Sequence, residues 1–91
     1  MYGLRVRGNS MVDALIGDGD IVLMQAGVDV ANGDTVAAWL PREKEATLKK
    51  IYREGARVRL QPANSEMQPI YVAADNVEIQ GKVVGVLRLL A

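Results

Sequence analysis

Apolar residues fall mostly in short runs, and each run is closed by Gly, Asn, Asp or Pro, which is the pattern of a chain built from strands and turns. Leu4 and Val6 alternate with Arg5 and Arg7, so Tyr2–Arg7 reads as a strand that ends at Gly8-Asn9. Met11–Ile16 can form one helical turn, with Ser10 at its N-cap and Asp13 in the Ser-x-x-acid capping position. Asp18-Gly19-Asp20 and Asn32-Gly33-Asp34 are turn sequences that frame an apolar strand at Ile21–Met24. Thr35–Leu40 and Glu45–Arg53 read as strands joined across Pro41–Lys44, and Glu54-Gly55 turns the chain into a further strand, Arg57–Gln61. Pro62–Pro69 is an irregular loop. Val77–Leu90 is the longest β-prone stretch, and Gly81 and Gly85 inside it predict bulges or bends. Connections this short predict a mainly β, compact antiparallel domain with a short helical turn after Ser10, one domain over residues 1–91.

Composition narrows the chemistry. Eleven basic and eleven acidic residues cancel, which argues against a grip on nucleic acid by bulk charge. The sequence has neither Cys nor His, so disulfides, thiolate catalysis, zinc–thiolate sites and His-based triads are all excluded. Asp18-Gly19-Asp20 lacks the alternating oxygen ligands and distal Glu of a calcium loop and reads as a turn. No metal and no cofactor is therefore expected. No apolar run reaches the ~20 residues of a membrane span and no signal peptide is visible, so a cytoplasmic domain with no membrane partner is expected.

The remaining nucleophiles are few: Ser10, Ser65, Thr35 and Thr47. Without His or Cys, a hydroxyl needs a lysine or a carboxylate as its base. Ser10 sits at a strand exit before a possible helical turn, where it either caps that turn or projects as a nucleophile beside unpaired backbone N–H groups. In Ala46–Tyr52, period-two alternation places Thr47, Lys49 and Ile51 on one face and Leu48, Lys50 and Tyr52 on the other. Alternation alone leaves open which lysine faces inward. An inward lysine has its ammonium form disfavoured by desolvation, and a neighbouring Thr47 could orient the amine. The shift matters: at a pKa of ~10.4 only about one lysine in a thousand is neutral near pH 7.4, and a shift of ~3 units makes about half of them neutral.

Taken in order, these segments resemble the C-terminal serine–lysine peptidase domain of LexA-type repressors, which the UmuD proteins and certain phage repressors share. Gly8-Asn9-Ser10-Met11 resembles the family's Gly-x-Ser-Met nucleophile motif, and Asp18-Gly19-Asp20 with its following strand resembles the next segment. Asn32-Gly33-Asp34-Thr35-Val36, Glu45-Ala46-Thr47-Leu48-Lys49-Lys50, Leu60-Gln61-Pro62-Ala63-Asn64-Ser65 and Gly81-Lys82-Val83-Val84-Gly85-Val86 match in turn, so the resemblance covers essentially the whole chain.

The resemblance implies Ser10 as nucleophile and Lys49, rather than Lys50, as general base, with Thr47, Asn9 and Met11 in support. It implies a homodimer, expected through the C-terminal strand around Gly81–Leu90, which carries only Lys82 and Arg88 as charges. It further implies RecA-stimulated self-cleavage at an upstream Ala-Gly type bond, and DNA contact only through an N-terminal domain. Only nine residues precede Ser10, so that domain and the cleavage segment are expected to be absent from this chain. The one Ala-Gly pair, Ala26-Gly27, lies downstream of the serine in a position that reads as an ordinary loop. Two other readings stay open: a UmuD-like accessory subunit of a translesion polymerase, and a pure dimerisation module.

Overall fold

A computed structural model describes residues 1–8, 10–14 and 16–88. Among these residues seven strands form one sheet: β1 (Tyr2–Arg5), β2 (Ile21–Gln25), β3 (Thr35–Leu40), β4 (Glu45–Glu54), β5 (Arg57–Gln61), β6 (Ile70–Ala73) and β7 (Glu78–Leu87). Their spatial order is β1-β2-β7-β3-β4-β5-β6, and every pairing is antiparallel. Two three-residue 3-10 turns, Val12–Ala14 and Ala74–Asn76, complete the described elements.

Strands β3 and β5 coincide with the segments read from the sequence. Strand β1 ends two residues earlier than its alternating pattern does. The pairing continues in altered form there: Val6 N donates to Asp20 O and Gly19 N donates to Val6 O, both at 2.8 Å, so the chain wraps the Asp18–Asp20 turn. Strand β6 and the turn after it are absent from the sequence reading. The signal was present in Ile70-Tyr71-Val72, but the strand is four residues long, largely exposed and squeezed between an irregular loop and a second turn.

Strand β7 lies inside the sheet. It is not an edge: β2 pairs with one side of it and β3 with the other. The two ladders follow one another along the strand: β3 pairs with residues 78–82 and β2 with residues 82–87, so of the β7 residues only Lys82 is paired on both sides. The strand's two glycines mark irregularities as expected. The register passes from Leu23↔Gly85 to Met24↔Val83, which leaves Val84 as the extra residue. It likewise passes from Ala37↔Gly81 to Ala38↔Ile79, which leaves Gln80 extra. Tyr2 Oη donates to the carbonyl of Gln80 at 2.8 Å, and a Cβ on Gly81 would lie 2.7 Å from the Tyr2 hydroxyl oxygen. Gly81 is therefore what lets Tyr2 reach across and bond the displaced carbonyl.

The sheet is buried on opposite faces at its two ends. Val36, Ala38 and Leu40 of β3 pack with Ile51 of β4 and Val58 and Leu60 of β5. Ala37, from the other face of β3, joins Val22 and Met24 of β2 under Met11 and Ile16. The segment that follows Ser10 thus lies against the sheet as the cover of this second core, with Met11 1 % exposed.

Candidate active site

The chain around Ser10 is tied down at several points. Gly8, with φ +87°, takes a conformation that side chains rarely adopt, and its N–H donates to Asp18 Oδ1 at 2.8 Å. Met11 is buried in the core beneath. Asp13 N donates to Ala63 O at 2.6 Å, and the Asp13 carboxylate accepts from Ser65 N at 2.8 Å. The capping arrangement expected of Ser10 and Asp13 is therefore not formed. Asp13 turns instead to the loop after β5, which gives the Pro62–Ser65 stretch a clear physical task. Asn9, expected as a supporting residue, lies outside the described residues.

Lys49 approaches from β4. Its ladder to β3 places it opposite Val36, with Thr47 opposite the small Ala38. The ladder to β5 begins only at Lys50↔Gln61, so residues 45–49 have no described strand on that side. There the Lys49 side chain runs back along its own strand. Nζ lies 2.5 Å from Thr47 Oγ1, 3.1 Å from Ser10 Oγ and 3.3 Å from the Leu48 carbonyl. Lys49 is 7 % exposed. Burial pushes its pKa below the usual lysine value, and the attraction of Glu45 only partly opposes that shift.

Three oxygens around one nitrogen suit both protonation states. An ammonium donates to all three. A neutral amine keeps two N–H donors for the Leu48 carbonyl and Thr47 Oγ1, and its lone pair then accepts the Ser10 O–H. The separation of 3.1 Å is within the range for proton transfer between a nucleophile and its base.

A family model for Peptidase S24-like proteins matches residues 1–84. The chain belongs to the Peptidase S24-like family. Relatives of this S24-like chain include the LexA repressor of Herpetosiphon aurantiacus, 59 % identical over 90 residues, covering 99 % of this chain and 42 % of the relative. The LexA repressor of a Roseiflexus species is also 59 % identical, over 88 residues that are 97 % of this chain and 40 % of that protein. The LexA repressor of Thermotoga neapolitana is 52 % identical over 85 residues, 93 % of this chain and 42 % of the relative. The chain thus spans about two fifths of the length of these relatives.

In this S24-like chain Ser10 and Lys49 open onto a cleft of about 290 Å³. Leu4, Val6, Val22, Ala37 and Leu48 supply its apolar lining. The backbone N–H groups of Ser10 and Met11 make no hydrogen bond among the described residues, whereas those of Gly8 and Asp13 are engaged. Two donors are thereby left beside the Ser10 hydroxyl. No group of three or more His, Cys, Asp or Glu suited to a metal occurs among the described residues. No helix among them is long and apolar enough to cross a membrane.

Asp18 and Asp20, which the sequence offers as turn formers once a calcium loop is set aside, also hold the segment around Ser10. Asp20 is 6 % exposed and accepts from Gly17 N at 2.8 Å and from Arg88 Nε and Nη2 at 3.1 and 2.8 Å. The Arg88 guanidinium, followed by the Gly17 N–H, holds its pKa below the usual carboxylate value. Local sequence could show a turn at Asp18–Asp20, but not a partner 68 residues away.

Proposed function

We propose that this chain is the self-cleaving peptidase and dimerisation part of a LexA-type repressor, with Ser10 as nucleophile and Lys49 as its general base. The observation that carries this reading is the Ser10 Oγ–Lys49 Nζ contact at 3.1 Å, made by a lysine withdrawn from water.

The chemistry follows from that contact. Neutral Lys49 takes the Ser10 proton as Oγ attacks the scissile carbonyl. The Ser10 and Met11 N–H groups face the developing oxyanion. Lys49, now an ammonium, gives its proton to the departing amine, leaving an ester on Ser10. Water then attacks the ester with Lys49 again as base, which releases the acid and restores the hydroxyl. Thr47 fixes the amine's rotamer throughout and is a positioning residue.

The substrate in this reading is an Ala-Gly type bond in a linker of the same protein, and a RecA filament stimulates the cut. DNA contact belongs to an N-terminal domain, as in a repressor of the LexA type. The names of the relatives favour a repressor over a UmuD-like subunit. Homodimerisation uses the exposed apolar side chains of β7, where Val84, Val86 and Leu87 are 46, 41 and 50 % exposed.

Cleavage in trans tests the proposal. A longer form of the protein that carries the linker and Ser10→Ala is mixed with this chain at alkaline pH, where the lysine is neutral. A cut at the linker bond that requires Ser10 and Lys49 of the added chain is expected. An intact substrate after prolonged incubation would reduce the chain to a binding module.

A further inference from the structure

The Ser10 segment and the strand carrying Lys49 are far apart in sequence, and their separation of 3.1 Å depends on what ties one to the other. One tie is the Asp13 contact with the loop after β5. The second comes from the opposite end of the chain. Arg88, immediately after β7, forms a two-pronged contact with the buried Asp20 carboxylate. The β2–β7 ladder ends at Ile21↔Leu87, so Arg88 on Asp20 carries that pairing one step past the strands and fixes the Asp18–Asp20 turn against β7, whose other end, residues 78–82, pairs with β3, and β3 with β4.

That turn in turn grips the serine segment at both ends. On the entry side it holds Gly8 through Asp18 Oδ1, and Val6 through Asp20 O and Gly19 N. On the exit side Asp20 Oδ2 holds Gly17, directly after Ile16, whose own N–H donates to Met11 O at 3.2 Å. The Arg88 side chain is 55 % exposed, so its ion pair is a weak source of stability, but a guanidinium fork fixes the direction of a carboxylate as a point charge does not. A buried carboxylate beside the apolar Ile21–Gln25 strand needs such a partner, and an apolar residue there would need none.

We propose that Asp20 and Arg88 form a positioning pair for the Ser10–Lys49 reaction: from the end of β7 they set the turn that holds the serine within reach of the lysine. The proposal rests on Ser10 being the nucleophile. The pair touches neither substrate nor reacting atoms and acts only through the turn.

The test uses the 91-residue chain and a fluorophosphonate, which needs no linker. Ser10 Oγ attacks phosphorus, fluoride leaves and Lys49 takes the proton. Labelling rates are measured against pH for the parent, Ser10→Ala, Lys49→Met, Asp20→Asn, Arg88→Gln and Arg88→Lys, with a thermal melt of each to show that it is folded at the assay temperature. A misplacement near 1 Å costs up to about a hundredfold, so Asp20→Asn and Arg88→Gln are expected to lower the alkaline plateau about tenfold or more. The pH midpoint, set by the surroundings of Lys49, stays where it is, and Arg88→Lys recovers part of the rate. Should Asp20→Asn not fold, Arg88→Gln decides. Parent-like plateaus in the folded variants, with or without a lowered melting temperature, overturn the proposal, as does a shifted midpoint at an unchanged plateau. Failure of the parent itself to label at Ser10 strikes the nucleophile assignment, and is told apart because it appears before any variant is compared.

Discussion

Among single residues, Lys49 has the largest consequence for both catalysis and stability. Its folded pKa lies below its unfolded value because burial penalises the ammonium. The unfolded state therefore binds more protons between those two values, and stability rises with pH across that window. The penalty is full below the folded pKa and gone above the unfolded one. Lys49→Met removes it, so this variant is expected to be inactive and more stable than the parent near pH 6.5, by about 1–3 kcal/mol. The gain should fade towards pH 10. Lys50→Met is the control, with a change within about 0.5 kcal/mol and activity kept. Denaturant melts of both at the two pH values check this, and equal, pH-independent effects would make Lys49 an ordinary lysine. Thr47→Val should cut cleavage about tenfold, and Thr47→Ser should restore most of it, since the hydroxyl orients the amine. The two-residue spacing of Thr47 and Lys49 was legible as a shared face, but alternation could not choose between Lys49 and Lys50. That choice came from the resemblance, and the open side of β4 at 45–49 is its physical basis.

At the scale of elements, runs and turns were legible because strand periodicity and glycine conformation are local properties. Gly81 and Gly85 announced irregularities in β7, whereas its place between β2 and β3 depends on long-range pairing that no local pattern states. The Tyr2 hydroxyl on the Gln80 carbonyl is equally non-local. Gly81→Ala should displace that hydroxyl and cost about 1 kcal/mol, the worth of one hydrogen bond. Tyr2→Phe should cost a similar amount, and Gly81→Ala should then add little, because the phenolic oxygen it would meet is gone. Denaturant melts of the double-mutant cycle measure that coupling. Strictly additive effects would mean that Tyr2 and Gly81 do not act on each other.

At the scale of the whole molecule, a small sheet with Val84 and Leu87 about half exposed on the interior strand β7 has apolar surface to cover. Sedimentation at tens of micromolar is expected to show a dimer, and Val84→Lys with Leu87→Lys a monomer; a dimer in both places the interface elsewhere. The dyad itself is tested most directly by the proton on Lys49. With 13C in the lysine side chains, one Cε resonance is assigned to Lys49 by its loss in Lys49→Met and followed against pH, alongside the rate of cleavage in trans. Below the titration the rate should rise about tenfold per pH unit, as the neutral fraction does, and then level off. Lys49 is expected to titrate below the ordinary lysine value, and the cleavage rate to level off at the same midpoint. Titration at the ordinary value of about 10.4, or a cleavage profile with a midpoint unrelated to it, would contradict the assignment of Lys49 as the base.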